Sequence, residues 1–214
     1  MEQMTELEKQ LKQNKNGTLK GLRETYLENV SHEVMPYRLT EENTPNFKSM
    51  RKLNFGCGNV PFKGWDNCDI QEEAPISFDF NEIPYMKLKN DYYDYILIRS
   101  VLESLDNPEK VLLELRNKCK NGAIIEILCP YFNNKGVWND PTSKRGFTEV
   151  IFAVIANRHN ERYINNEKKF ELERLELMPT KNFGKYIPKR IREKLCPFIS
   201  GIILHVYVKY KVKK

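Results

Sequence analysis

The stretch Lys52–Ile70, KLNFGCGNVPFKGWDNCDI, constrains this chain more than any other. An apolar run of strand type, Lys52–Phe55, ends in Gly56-Cys57-Gly58, and a second short run, Asp66–Ile70, places Asp69 thirteen positions after Gly56. Glycines after a strand permit a tight turn whose backbone N–H groups stand open to a ligand, since no Cβ at 56 or 58 blocks the approach. An acid at the tip of the next parallel strand is placed to accept hydrogen bonds from two ribose hydroxyls. Together these features predict a nucleoside pocket at the carboxyl ends of a parallel sheet.

The rest of the chain carries the strand–helix alternation that such a sheet needs. Further strands are expected over Tyr93–Arg99 and Ala123–Cys129. A helix over Pro108–Lys118 has Val111, Leu112 and Leu115 on one face, proline in its first turn and a stop near Asn121-Gly122. A helix over 148–157 follows, then the alternating strand Phe170–Met178, a basic helix Pro188–Leu195 and a last strand Ile202–Val212. Only residues 56–65, with Pro61 and Gly64 among them, join the first two strands. A parallel connection usually takes about a dozen residues or more, so this crossover is expected to be clipped and irregular.

Residues 1–45 read as an appended helical segment and candidate lid, with Leu7 and Leu11 one turn apart, Leu19, Leu22, Tyr26 and Val30 on one face, and a break at Asn16-Gly17. Residues 46–214 form the main domain. With 214 residues, 40% of them hydrophobic, the chain can bury one sizeable core. No run approaches the ~18 apolar residues of a membrane helix, and the first residues are too polar for a secretion signal; a soluble, cytoplasmic protein with no membrane span is expected. The five cysteines are odd in number and form no Cys-x-x-Cys pair, which favours reduced structural thiols. The net charge of +6 is concentrated partly in 185–194 and 209–214 and reads as a solvated face before it reads as a nucleic-acid site.

A dinucleotide fingerprint would need a third glycine where Pro61 stands and an acid ~20 residues on, later than Asp69. No Gly-Lys-Ser/Thr phosphate loop occurs. A ligand without a pyrophosphate remains. The ordered set LNFGCGNVPFKGWDNCDI, Asp94 and YILIRSVLESLDNPEKVLLELRNKCKNGAIIEILCPYF resembles the class I S-adenosylmethionine-dependent methyltransferases, in the type 11-like branch with a shortened glycine-to-acid segment. The match spans about residues 52–152. It departs from the branch at Arg99 and Ser104, where histidines are usual, and at Asn121-Gly122-Ala123, where a proline-glycine-glycine turn is usual.

The resemblance implies an α/β fold of Rossmann-like methyltransferase type: a mostly parallel seven-stranded sheet with an antiparallel last strand. It implies S-adenosyl-L-methionine as cofactor, with Gly56, Cys57 and Gly58 along its methionine moiety and Asp69 on its ribose. Asp79 and Phe80 would flank the adenine, and Arg99 and Ser100 would face the sulfonium. A turn role for Asp79 and a packing role for Trp65 stand beside these readings. Where the acceptor pocket of such proteins is built, Tyr131, Asp140 and His159 are the candidate bases, and Lys144 and Arg145 either bind an acidic acceptor or face solvent.

Three functions follow as expectations. The first is methyl transfer to an oxygen or nitrogen of a small molecule or glycan precursor. The second is methylation of RNA or another nucleic acid, although the Asn/Asp-Pro-Pro-Tyr/Phe sequence of amino-methylating enzymes is absent after the fourth strand. The third is a non-catalytic partner that keeps the fold.

Overall fold

The strands of this chain are short apolar runs bounded by glycine, proline and acids, and seven of them assemble into one sheet. The structure is a computed structural model that describes residues 40, 43–157, 169–181 and 183–214. The strands are β1 (Lys52–Phe55), β2 (Asp66–Asp69), β3 (Ile76–Ser77), β4 (Tyr93–Arg99), β5 (Cys119–Pro130), β6 (Phe170–Pro179) and β7 (Ile203–Val212). Their order across the sheet is β3-β2-β1-β4-β5-β7-β6. Neighbours from β3 to β5 pair parallel, whereas β7 runs antiparallel to both β5 and β6. The chain therefore travels outward from β1 in one direction to β3, returns to β4, and continues the other way. Such a reversal leaves a crevice beyond the carboxyl ends of β1 and β4.

Helix α1 (Pro108–Lys118) starts where the Asn107 side chain accepts the Lys110 N–H at 3.0 Å, with Pro108 in the first turn where no N–H is needed. Its Val111, Leu112 and Leu115 are buried in the core that covers one sheet face, against Leu53, Phe55, Ile96, Ile98, Ile125 and Ile127. Helix α2 (Lys135–Trp138) follows β5, and α3 (Glu149–Asn157) adds Phe152 and Ala156 to the same core. Helix α4 (Lys189–Leu195) lies in the connection from β6 to β7.

The connection from β1 to β2 contains turns and no helix. Asn67 organises it, accepting the Phe62 N–H at 2.7 Å and donating to the Phe62 and Trp65 carbonyls at 2.9 Å each. Trp65 packs edge-on against Phe62 and Tyr95, with ring centroids 5.2 and 5.3 Å away. A side-chain amide thus replaces the hydrogen bonds that a crossover helix would supply.

One expectation needs correction. Asn121-Gly122 does not separate helix from strand: α1 ends at Lys118, β5 begins at Cys119, and Gly122, at φ +79°, lies within β5 where its register against β4 shifts between Tyr93 and Tyr95. The edge strand β3 is only two residues long and leaves no periodic pattern. The helical reading of residues 1–39 lies outside the described residues. No helix among the described residues is long and apolar enough to cross a membrane.

Candidate functional site

Four loops converge beyond the carboxyl ends of β3, β2, β1 and β4. The first is the Gly56–Gly58 turn, whose two leading N–H groups, of Gly56 and Cys57, both donate to the Cys68 carbonyl at 2.9 Å. That shared acceptor ties the turn to β2. Gly56 (φ +80°) and Gly58 (φ +52°) both occupy the left-handed region that side chains disfavour. Their surroundings differ. A Cβ at Gly56 would lie 2.0 Å from Cγ2 of Val101, so the turn presses against the loop after β4, whereas a Cβ at Gly58 would stand in open space.

At the tip of β2, the Asp69 carboxylate accepts the Gly58 N–H at 2.7 Å and, more weakly, the Gln71 N–H at 3.3 Å. Ile70 beside it is an apolar side chain left 60% exposed. The Cys57 thiol is buried, and burial first and the neighbouring Asp69 second push its pKa up, so it stays protonated. All five cysteines are buried and free.

After β3, Asp79 accepts the Asn81 N–H at 2.8 Å, which closes a turn. Asn81 in turn accepts the Asp106 N–H at 2.9 Å and so links this loop to the one after β4. The Phe80 ring stacks on Phe55 at 3.9 Å within the core. Arg99 closes β4 with its guanidinium over the Phe62 ring, 5.0 Å from the centroid. Ser100 takes φ +49° while its N–H donates to the Leu128 carbonyl at 2.9 Å. A non-glycine residue held there is strained, and the bend it makes delivers Val101 beneath Gly56. Glu103, in the short turn after it, is 6% exposed.

The acceptor-side candidates are placed less favourably. Tyr131 is 1% exposed, and its hydroxyl lies 3.4 Å from the Cys196 thiol. Burial, with Cys196 next, pushes its pKa above the ordinary tyrosine value, so near neutral pH it stays a neutral phenol and offers no phenolate to act as a base. The Asp140 carboxylate accepts the Thr142 N–H at 2.9 Å and the Thr142 hydroxyl at 2.6 Å, capping a turn. Lys144 pairs with Asp106 at 2.5 Å on the surface, and Arg145 donates to the Asp106 carbonyl at 3.2 Å. His159 lies outside the described residues. A surface depression lined by Pro84, Asn90, Glu114 and Lys118 sits at the opposite, amino-terminal end of the strands, away from these groups.

The arrangement of solved proteins decides the fold. A methyltransferase of Archaeoglobus fulgidus that depends on S-adenosylmethionine is 20% identical, with 90% of this chain and 94% of that one covered, at a TM-score of 0.57. Another from Mesorhizobium loti is 12% identical, covering 78% and 93%, at 0.55. A third likeness, 11% identical over 91% and 93% at 0.56, is to the complex between the Haloferax volcanii Trm112 methyltransferase activator and a methyltransferase candidate. This chain has the class I methyltransferase fold. Comparison with protein-family models and with curated protein sequences gives no match. In this methyltransferase fold the eight expected cofactor-side residues, Gly56 to Ser100, gather at four adjacent strand ends, while Tyr131 turns into the core.

Proposed function

We propose that this chain is an S-adenosylmethionine-dependent methyltransferase that transfers a methyl group to an oxygen or nitrogen of a small molecule or glycan precursor. The observation that carries the reading is the pairing of Gly58 with Asp69 at 2.7 Å beside a space that a Cβ at Gly58 would enter. A carboxylate fixed against a glycine turn suits a ribose lying next to a close-approaching amino-acid chain.

In this reading Gly56, Cys57 and Gly58 line the methionine moiety through their backbone, and Asp69 holds the ribose. Asp79 and the Phe80 backbone flank the adenine with Ile70 as an apolar neighbour. Arg99 and Ser100 face the sulfonium region. The bound cofactor supplies a methyl already activated on a sulfonium. The work left to the chain is to exclude water and align the acceptor in line with the methyl. An amine acceptor in its free-base form needs no strong base, whereas a hydroxyl gains from one. Tyr131 is assigned to packing, and Asp140 and His159 stay as the base candidates.

The test is calorimetric titration of the full chain with S-adenosylhomocysteine, followed by mass spectrometry of a metabolite extract incubated with methyl-labelled cofactor. Saturable binding and one labelled product are expected. A chain that binds neither cofactor form would overturn the proposal.

A further inference from the structure

The connection from β6 to β7 is larger than a turn requires, and five of its large apolar side chains are exposed. Phe183 is 57% exposed, Tyr186 74%, Ile191 51%, Phe198 84% and Ile199 44%. Beside and between them stand Lys181, Lys185, Lys189, Arg190, Arg192 and Lys194, with Glu193 the single acid over 181–199. That acid is spent within α4, 3.8 Å from Lys189.

The segment is held firmly from beneath. The Gly184 N–H donates to the Thr180 hydroxyl at 2.9 Å, and that hydroxyl donates to the Gly201 carbonyl at 2.6 Å, pinning both ends of the connection together. Helix α4 turns Leu195 and the buried Cys196 inward. Ile191 and Lys194, three positions apart, share its outer side, and Phe198 stands exposed in the turn that follows it. Asn133, two residues past Tyr131, donates to the Cys196 carbonyl at 2.5 Å and accepts the Ser200 hydroxyl at 2.6 Å. The outward surface therefore adjoins the carboxyl end of β5, on the acceptor side of the candidate site.

We propose that this surface, residues 181–199, docks the protein reversibly on an anionic lipid bilayer. Exposed aromatic and aliphatic side chains among lysines and arginines match the headgroup boundary, where apolar tips enter the acyl region and long basic side chains reach the lipid phosphates. Two of the five apolar groups are isoleucines, which offer no π face for a base to stack on, so a bilayer suits the set better than a single-stranded nucleic acid does. The excess of basic over acidic side chains in this segment selects an anionic leaflet over a neutral one. Docking there would present membrane-resident molecules to the loops after β5. It does not depend on methyl transfer, because the binding is read without cofactor.

Co-sedimentation of the full chain with mixed phosphatidylcholine–phosphatidylglycerol vesicles, against pure phosphatidylcholine, tests this. Partition onto the anionic vesicles is expected to be at least about tenfold stronger and to fall with added salt. Ile191→Ser with Phe198→Ser is expected to weaken it about tenfold at an unchanged melting temperature, since both side chains point outward. Lys189→Glu with Lys194→Glu is expected to remove it. No sedimentation with anionic vesicles overturns the proposal. So does serine-variant binding equal to the parent's, or tight binding of an RNA oligomer that the glutamate variant loses and the serine variant keeps.

Discussion

Gly56 and Gly58 differ in what their missing side chains permit, and the difference separates folding from binding. Gly56 makes room for Val101, whose branched side chain a Cβ would meet at 2.0 Å, and it also sits at φ +80°. Gly56→Ala is expected to cost about 1–3 kcal/mol, read as a melting temperature lower by about 2–12 °C. Gly58→Val strains only the backbone at φ +52° and fills open space. It is expected to lower cofactor affinity more than tenfold, with a smaller loss of melting temperature. Asp69→Ala removes a charged acceptor worth about 1.5–3 kcal/mol, so calorimetry is expected to show S-adenosylhomocysteine bound at least about tenfold more weakly. An unchanged dissociation constant would remove Asp69 from the ribose role. These residues were legible in the sequence because glycine at a turn and an acid at a strand tip are local signals. The strained Ser100 was not, since nothing in Arg99-Ser100-Val101 distinguishes a left-handed serine from one that continues the strand.

At the scale of elements, β7 carries a buried titratable group. His205 is 2% exposed, its Nδ1 has no hydrogen-bond partner among the described residues, and burial lowers its pKa from 6.5 to about 4. The folded state thus resists a proton that the unfolded chain accepts. The associated stability is complete above about pH 6.5 and is lost as pH falls toward about 4, amounting to roughly 3 kcal/mol at most for a shift of this size. Urea midpoints measured across that window are expected to fall in the parent and to fall less in His205→Leu. Equal slopes would show that His205 is not the group responsible. Glu126 on the adjacent β5 is fully buried and accepts hydrogen bonds from both Tyr95 and Tyr207, so a polar group placed inside the sheet layer is matched by two hydroxyls. The strand pattern shows Glu126 as an interruption of an apolar run. Only the pairing of β4, β5 and β7 supplies its partners.

For the whole molecule, the sheet order places the candidate cofactor loops at one end, and a ligand bound there stabilises the folded state alone. At a concentration a hundred times its dissociation constant, S-adenosylhomocysteine is expected to add about 2.7 kcal/mol and so raise the melting temperature by about 5–11 °C. At the same ligand concentration Asp69→Ala is expected to show a clearly smaller rise. Most strands and helices between Lys52 and Val212 were readable from period, glycine and proline, since each of these acts within a few residues of itself, whereas the two-residue β3 and the single-turn α2 were not. The clipped crossover followed from counting ten residues between two strands, and Asn67 is the side chain that makes it workable. Availability of side chains was not readable in that way. Tyr131 stands where a base would be wanted, yet its hydroxyl faces Cys196 across 65 positions of chain. Phe80 stands where a nucleobase would be flanked, yet its ring belongs to the packing around Phe55. The sequence by itself determined most of the strands, the glycine turn and the acid at the next strand tip, because local conformational preference specifies them. The tertiary structure alone decided which groups meet solvent and which fill the core, because burial is set by contacts between segments far apart along the chain.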